Sequence, residues 1–219
     1  MSQVFLIGTV HEEVGRASVS ALRSILEAIR PEVAFVEVPE DAFEDCYVRF
    51  NRWNVESVAI RKYKEAHPLE VVPVDRPLPD PQFFDAEAEL LLRIGDESSE
   101  YLALRRQQRY LVETHGFRYL NSEYGNALYA DIYKEMEASL ERLAILDLVE
   151  IYANLRREYK LREDEMLRNI YSYSRGQFTR GVFLVGAAHR TSLMEKLQGL
   201  THVEPNPIIW EFPDLKGSR

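Results

Sequence analysis

A chain of 219 residues with 46% hydrophobic content can bury one sizeable core, or a core with a subdomain. Its net charge of -9 argues against nucleic-acid binding by phosphate neutralisation, and its single cysteine, Cys46, excludes an internal disulfide and a cysteine-rich zinc site. No apolar run approaches the roughly 20 residues of a membrane span, so the expectation is a soluble, cytoplasmic protein with neither a nucleic-acid nor a membrane partner.

The first element is an apolar run, Val4 to Ile7, that reads as a buried strand and leads at once into Gly8, Thr9 and His11. A polar loop follows, and Ser18 or a near neighbour is placed to cap a helix to about Arg30 that carries Leu22, Ile25, Leu26 and Ile29 on one face and is ended by Pro31. Val33 to Val38 is a second apolar run, broken only by Glu37. The strand, helix and strand have the crossover length of a parallel pair. Asp41 and Glu44 have the spacing of a capping box, which predicts a helix running through Trp53 and Val58 to about Glu65. Val71 to Val74 is a third strand, and Pro73 within it argues for an edge position or a short pairing. Asp75 and Arg76 stand at its end.

Pro77, Pro79 and Pro81 then mark a turn-rich linker, and helical periodicity takes over. One helix spans Glu87 to Ile94 and stops near Gly95, and a second runs from Tyr101 to His115 with Gly116 as its cap. Further helices begin after Asn121 and end near Gly176, with Met136, Leu140, Leu143, Leu146, Leu148 and Ile151 as core positions. Gly181 to Val185 returns to strand, followed by Gly186 to His189, a helix through Leu193 and Leu197, and a terminal strand at Ile208 to Phe212. The fold class is therefore α/β: a mainly parallel sheet with flanking helices and a large helical insertion between the third and fourth strands. Residues 1–76 and 181–219 form the α/β core, and 77–180 form the helical insertion or cap.

The chemistry gathers at the strand ends. Ligands of open parallel sheets bind beyond the carboxyl ends of the strands, and those ends carry His11, Glu37, Asp75, Arg76 and His189, from different strands. Two of them close a repeated pattern: an apolar strand, a glycine, two more residues and a histidine, at Gly8 to His11 and again at Gly186 to His189. Glu37 interrupts a buried run, and an unpaired buried carboxylate costs on the order of several kcal/mol. An arginine, a histidine or a metal ion would satisfy it. Two imidazoles and a carboxylate are also a common ligand set for divalent transition metals. Gly8, Thr9 and Gly186 leave room for a substrate beside the histidines, and Asp75 and Arg190 adjoin the same ends. Cys46, among Asp41, Glu44 and Asp45, reads as a poor nucleophile because those acids raise its pKa. The first loop lacks the glycine spacing of nucleotide-binding motifs, so no nucleotide cofactor is expected.

Gly8-Thr-Val-His11, Glu37, Asp75-Arg76, Gly186-Ala-Ala-His189 and the spacing Arg162-x-x-x-Met166 together resemble the TraB/PrgY family and its relatives, the Tiki proteases and erythromycin-esterase-like proteins. The Tiki branch implies a peptidase with a divalent metal (manganese, cobalt or zinc) near His11, Glu37 and His189. The esterase-like branch implies ester hydrolysis without an obligatory metal, one histidine acting as general base. Val38-Pro-Glu-Asp41 and Pro77-Leu-Pro-Asp80 depart from the family pattern, and the membrane-spanning tail of many TraB proteins is not expected here.

The leading expectation is thus a metal-assisted hydrolase of a peptide or small-molecule ester. His11, Glu37 and His189 hold metal or activate water, while Arg76 and Arg162 stabilise a substrate carboxylate or oxyanion. The alternative is a non-catalytic regulatory protein that binds a peptide or small acidic ligand through the same arginines. A further expectation is a homodimer through the helical region, lined by Tyr101, Tyr110, Tyr119, Tyr152, Tyr171 and Tyr173.

Overall fold

The computed structural model describes residues 2–173, 178–200 and 208–215. Strand β1 (Gln3–Thr9) leads to helix α1 (Val19–Ile29), then to β2 (Val33–Pro39). Ser18 caps α1 by accepting the Ala21 N–H, and Arg30 ends it in the left-handed region (φ 53°), just before Pro31. Short α2 (Glu40–Phe43) and a π-helical turn (Glu44–Val48) precede α3 (Val55–Lys64) and β3 (Glu70–Asp75).

The single helix expected from Asp41 to Glu65 is thus broken. Asp41 lies inside the first turn of α2, whose cap position is Pro39 without a side-chain bond, so the Asp41–Glu44 capping box does not form. The box forms instead at Asn54 and Ser57, where each side chain bonds the other's backbone N–H. Residues 49–54 separate the pieces, with Phe50 at φ 55°.

Between β3 and β4 (Arg180–Gly186) the chain makes α4 (Pro81–Glu97), α5 (Ser99–His115), α6 (Phe117–Leu120), α7 (Glu123–Leu143) and α8 (Leu146–Tyr173). α9 (Ala187–Leu200) and β5 (Ile209–Glu211) follow. Pro81 opens α4 rather than closing a linker, since Asp80 caps the helix and proline suits its first position. Gly95 sits within α4, which continues to Glu97. Gly116 does end α5, at φ 57°, where an added Cβ would stand 2.6 Å from the Arg16 carbonyl oxygen. Of the expected core positions, Met136, Leu140 and Leu148 are buried, whereas Leu146 is 79% exposed because it opens α8. The helical stretch expected to end near Gly176 is helical to Tyr173, and Gly176 lies outside the described residues.

All sheet pairings are parallel, in the order β3-β2-β4-β1-β5. β3 lies at an edge, as Pro73 requires. β4, late in the chain, inserts between β1 and β2. Its register sets Thr9 beside Gly186 and Val36 beside Leu184, so the ends of the three central strands finish at one level. Both faces are covered, as a parallel sheet demands. Ile7, Ala34, Val36 and Leu184 share a core with α1 and α3, and this core continues into the helical stretch. On the other face, Leu6, Phe35 and Phe183 meet Met166, Leu167 and Ile170 of α8 and Leu193 and Leu197 of α9. No helix among the described residues is long and apolar enough to cross a membrane.

Phe183 on the central strand is fully buried. Phe183→Ala is therefore expected to lower the unfolding free energy by about 3–5 kcal/mol in urea titrations, through lost burial and a cavity. A change below about 1 kcal/mol would mean the sheet is not packed this way.

Candidate active site

Because β4 lies between β1 and β2, the loop after β1, the end of β2 and the first turn of α9 share one edge of the sheet. Each supplies one principal group. A Cβ placed on Gly186 would stand 3.2 Å from Glu37 Oε2, 3.9 Å from His11 Nε2 and 3.9 Å from His189 Cδ2. The glycine therefore leaves open the space between the three side chains.

The two imidazoles are held alike. His11 Nδ1 is 3.1 Å from Glu56 Oε1, and His189 Nδ1 is 2.9 Å from Glu163 Oε1. A carboxylate accepts only, so each Nδ1 carries the proton it donates. The Nε2 edges are left to the common space, and that of His189 lies 3.5 Å from Glu37 Oε1. Their settings differ. The His189 side chain is 5% exposed and packs against the Tyr159 ring, whereas that of His11 is 57% exposed. Glu56 is fixed by Thr9 Oγ1 at 2.6 Å, and Glu163 by Ser192 Oγ at 2.6 Å and Lys196 Nζ at 3.2 Å.

Glu37 is fully committed. Arg162 Nη2 donates to its Oε1 at 2.6 Å, and the Gly186 N–H, at the start of α9, donates to Oε2 at 2.5 Å. The same guanidinium grips Asp75 through Nε and Nη2, at 2.6–3.2 Å. Asp75 is wholly buried as a side chain and Arg162 is 14% exposed. Arg76 turns instead toward Glu158 of α8, at 3.6 Å.

The charges bias protonation. His11 is raised from 6.5 to about 9 by its hydrogen bond to Glu56, with the charges of Glu56 and Glu37 adding and burial opposing. Burial pushes the Glu37 carboxyl up, but His189, Arg162, His11 and the Gly186 N–H together bring it below the usual carboxylate range. Burial likewise raises Glu163, and the hydrogen bonds from His189 and Ser192, with the charges of His189 and Lys196, outweigh it. The Tyr47 phenol is pushed up by burial first, then by the nearby charge of Glu56. For Cys46, burial is the first cause of its raised pKa, with Asp45 adding to it and Arg52 opposing.

Several residues expected to touch substrate stand behind the centre. Thr9 is 1% exposed, Asp75 7% and Arg190 2%. The Gly8 N–H donates to Asn121 Oδ1 at 2.8 Å and its carbonyl accepts from Asn121 Nδ2 at 2.9 Å, so its backbone ties β1 to the helical stretch. Arg190 Nη1 donates to Asn126, and its Cδ would lie 3.1 Å from a Cβ on Gly8. Sequence reasoning missed Glu56, Glu163 and Asn121. Glu163 had a signal: it falls in phase with Leu155, Tyr159, Met166 and Ile170 along the apolar face of α8.

The donor types at His11, Glu37 and His189 suit a divalent transition metal, and imidazoles backed by carboxylates are usual in such sites. Their placement does not suit one. Both Glu37 oxygens are taken by Arg162 and Gly186, and among the described residues no group of three His, Cys, Asp or Glu is positioned to hold a metal ion. Compared with protein-family models, curated proteins and solved structures, the chain matches none. The fold and site define an α/β protein with paired imidazole–carboxylate dyads at the carboxyl end of a parallel sheet.

Removing the charge of Arg162 takes from the buried Glu37 and Asp75 carboxylates the guanidinium they share. Arg162→Met is expected to cost about 3–5 kcal/mol in urea unfolding, and adding Asp75→Asn should return part of that loss. An additive double mutant would contradict the shared pairing. Stability should also depend on pH in a defined sense. His11 contributes fully below its unfolded value of 6.5, and that contribution fades as pH rises toward about 9. Glu37 and Glu163 contribute fully above 4.5 and lose it as pH falls through their lowered folded values. Chemical unfolding across pH should therefore show a weakened alkaline limb in His11→Gln with the acid limb retained. Identical limbs in both proteins would contradict the assignment.

Proposed function

We propose that this protein is a hydrolase of a peptide or small-molecule ester, with its reacting centre in the space that Gly186 leaves between His11, His189 and Glu37. The supporting observation is the convergence of two imidazoles on that space, each held at Nδ1 by a buried carboxylate, with Nε2 of His189 3.5 Å from Glu37 Oε1. Pairs of titratable groups in different settings are how acid and base roles are divided. His189 is buried, and its Nδ1–H is held by Glu163, so its Nε2 lone pair is the base for an attacking water. His11, raised to about 9, is protonated at neutral pH and stands at the open side. Its Nε2–H is the donor to the developing oxyanion or leaving group. Glu37 is kept ionised by Arg162 and Gly186, and its charge stabilises the imidazolium that forms on His189.

A second reading places a divalent ion between the imidazoles, and the carboxylate backing of both rings favours it. It requires Glu37 to release Arg162 or the Gly186 N–H. The non-catalytic reading has less support, because Arg162 Nε and Nη2 are spent on Asp75 and Glu37 and Arg76 is paired with Glu158.

Purified protein should hydrolyse members of a panel of activated esters and short peptides. His11→Ala and His189→Ala should each lower the rate by roughly 10²- to 10⁴-fold without loss of the folded circular-dichroism signal. The panel should be run with chelator and with manganese, cobalt or zinc. Activity that survives chelation supports the imidazole pair acting alone, and activity restored only by an ion supports the second reading. Inactivity under every condition, or unchanged rates in both variants, would sink the proposal.

A further inference from the structure

A cavity of about 590 Å³ opens between α7, α8 and α9, with Glu163 and Tyr159 in its lining. Tyr129 and Tyr133 of α7 and Tyr159 of α8 form aromatic walls. The Arg156 guanidinium lies 4.4 Å from the centroid of the Tyr133 ring, and Lys134 and Lys160 stand on the same rim. Among the described residues, no carboxylate lies within ion-pair reach of Lys134, Arg156 or Lys160. Of the acids that line the cavity, Glu137 accepts the Tyr152 hydroxyl and Glu163 holds His189, Ser192 and Lys196, while Glu195 stands on the α9 side as a third carboxylate.

Three cations without a carboxylate partner beside three phenol rings suggest a ligand by chemistry. The cations call for an anionic group, and a guanidinium already stacked on a ring is preorganised to bind one. The rings call for a planar, unsaturated body. The volume suits a small molecule rather than a folded partner.

We propose that this cavity binds a small organic anion with a planar body, its acidic group at Arg156 and Lys160 and its ring among the tyrosines. The site is independent of whether the neighbouring centre hydrolyses anything. Calorimetric titration of the full chain with phenyl phosphate, inorganic phosphate and phenol tests it. Phenyl phosphate should bind at least about tenfold more tightly than either fragment, since it alone meets both halves of the site. Arg156→Gln with Lys160→Gln, both at exposed positions, should weaken that binding by about tenfold or more. Tyr133→Leu should remove the preference for phenyl phosphate over phosphate, while Lys62→Gln on α3 should change nothing. Absence of phenyl phosphate binding would overturn the proposal. So would binding that the double variant leaves within about twofold, or that Lys62→Gln weakens equally.

Discussion

The arrangement depends on one guanidinium held between two carboxylates. Arg162, from the helix that covers one face of the sheet, reaches Glu37 at the end of β2 and Asp75 at the end of β3. A buried ion pair is a weak source of net stability, because desolvation opposes the attraction. Its geometric demand is strict. Once both carboxylates are buried, α8 must deliver its arginine to them, and this fixes the helical stretch against the strand ends. Asn121 does the same at the other side of the edge, through three hydrogen bonds to Gly8 and Phe117. The dyads are then assembled by elements locked in place for other reasons.

Much of this was legible in the sequence. Apolar runs of strand length, a capping serine, and proline and glycine at element ends indicated all five strands and most helices, because each is a local signal. The π-helical turn and the break at 49–54 were not visible, since Asp41 and Glu44 satisfy a capping pattern equally well inside a first turn. The position of β4 was beyond sequence reasoning. Strand order follows from which faces pack against which helices, and no window of residues carries that information.

The site divides along the same line. His11, Glu37 and His189 stood out because polar residues at the ends of apolar strands are conspicuous. Glu56 and Glu163 did not, because acids in a helix ordinarily face water, and Glu163 sits in the charged run Arg162-Glu-Asp-Glu165. Arg162 was found through its spacing to Met166, yet its role differs from the expected one. It serves the protein's own carboxylates before any ligand's. The tyrosines expected at an interface are mainly core: Tyr101, Tyr119 and Tyr152 are buried, while Tyr110 is 63% exposed.

The central claim is that charges from separate elements, Glu56 of α3 and Glu37 of β2, act on one imidazole. Nitrogen-15 NMR titration of the His11 ring measures this directly. The account predicts a midpoint near 9, shifted downward by Glu56→Gln and, to a smaller extent, by Glu37→Gln. A midpoint near 6.5 that neither substitution moves would contradict it, because His11 would then stand alone in solvent.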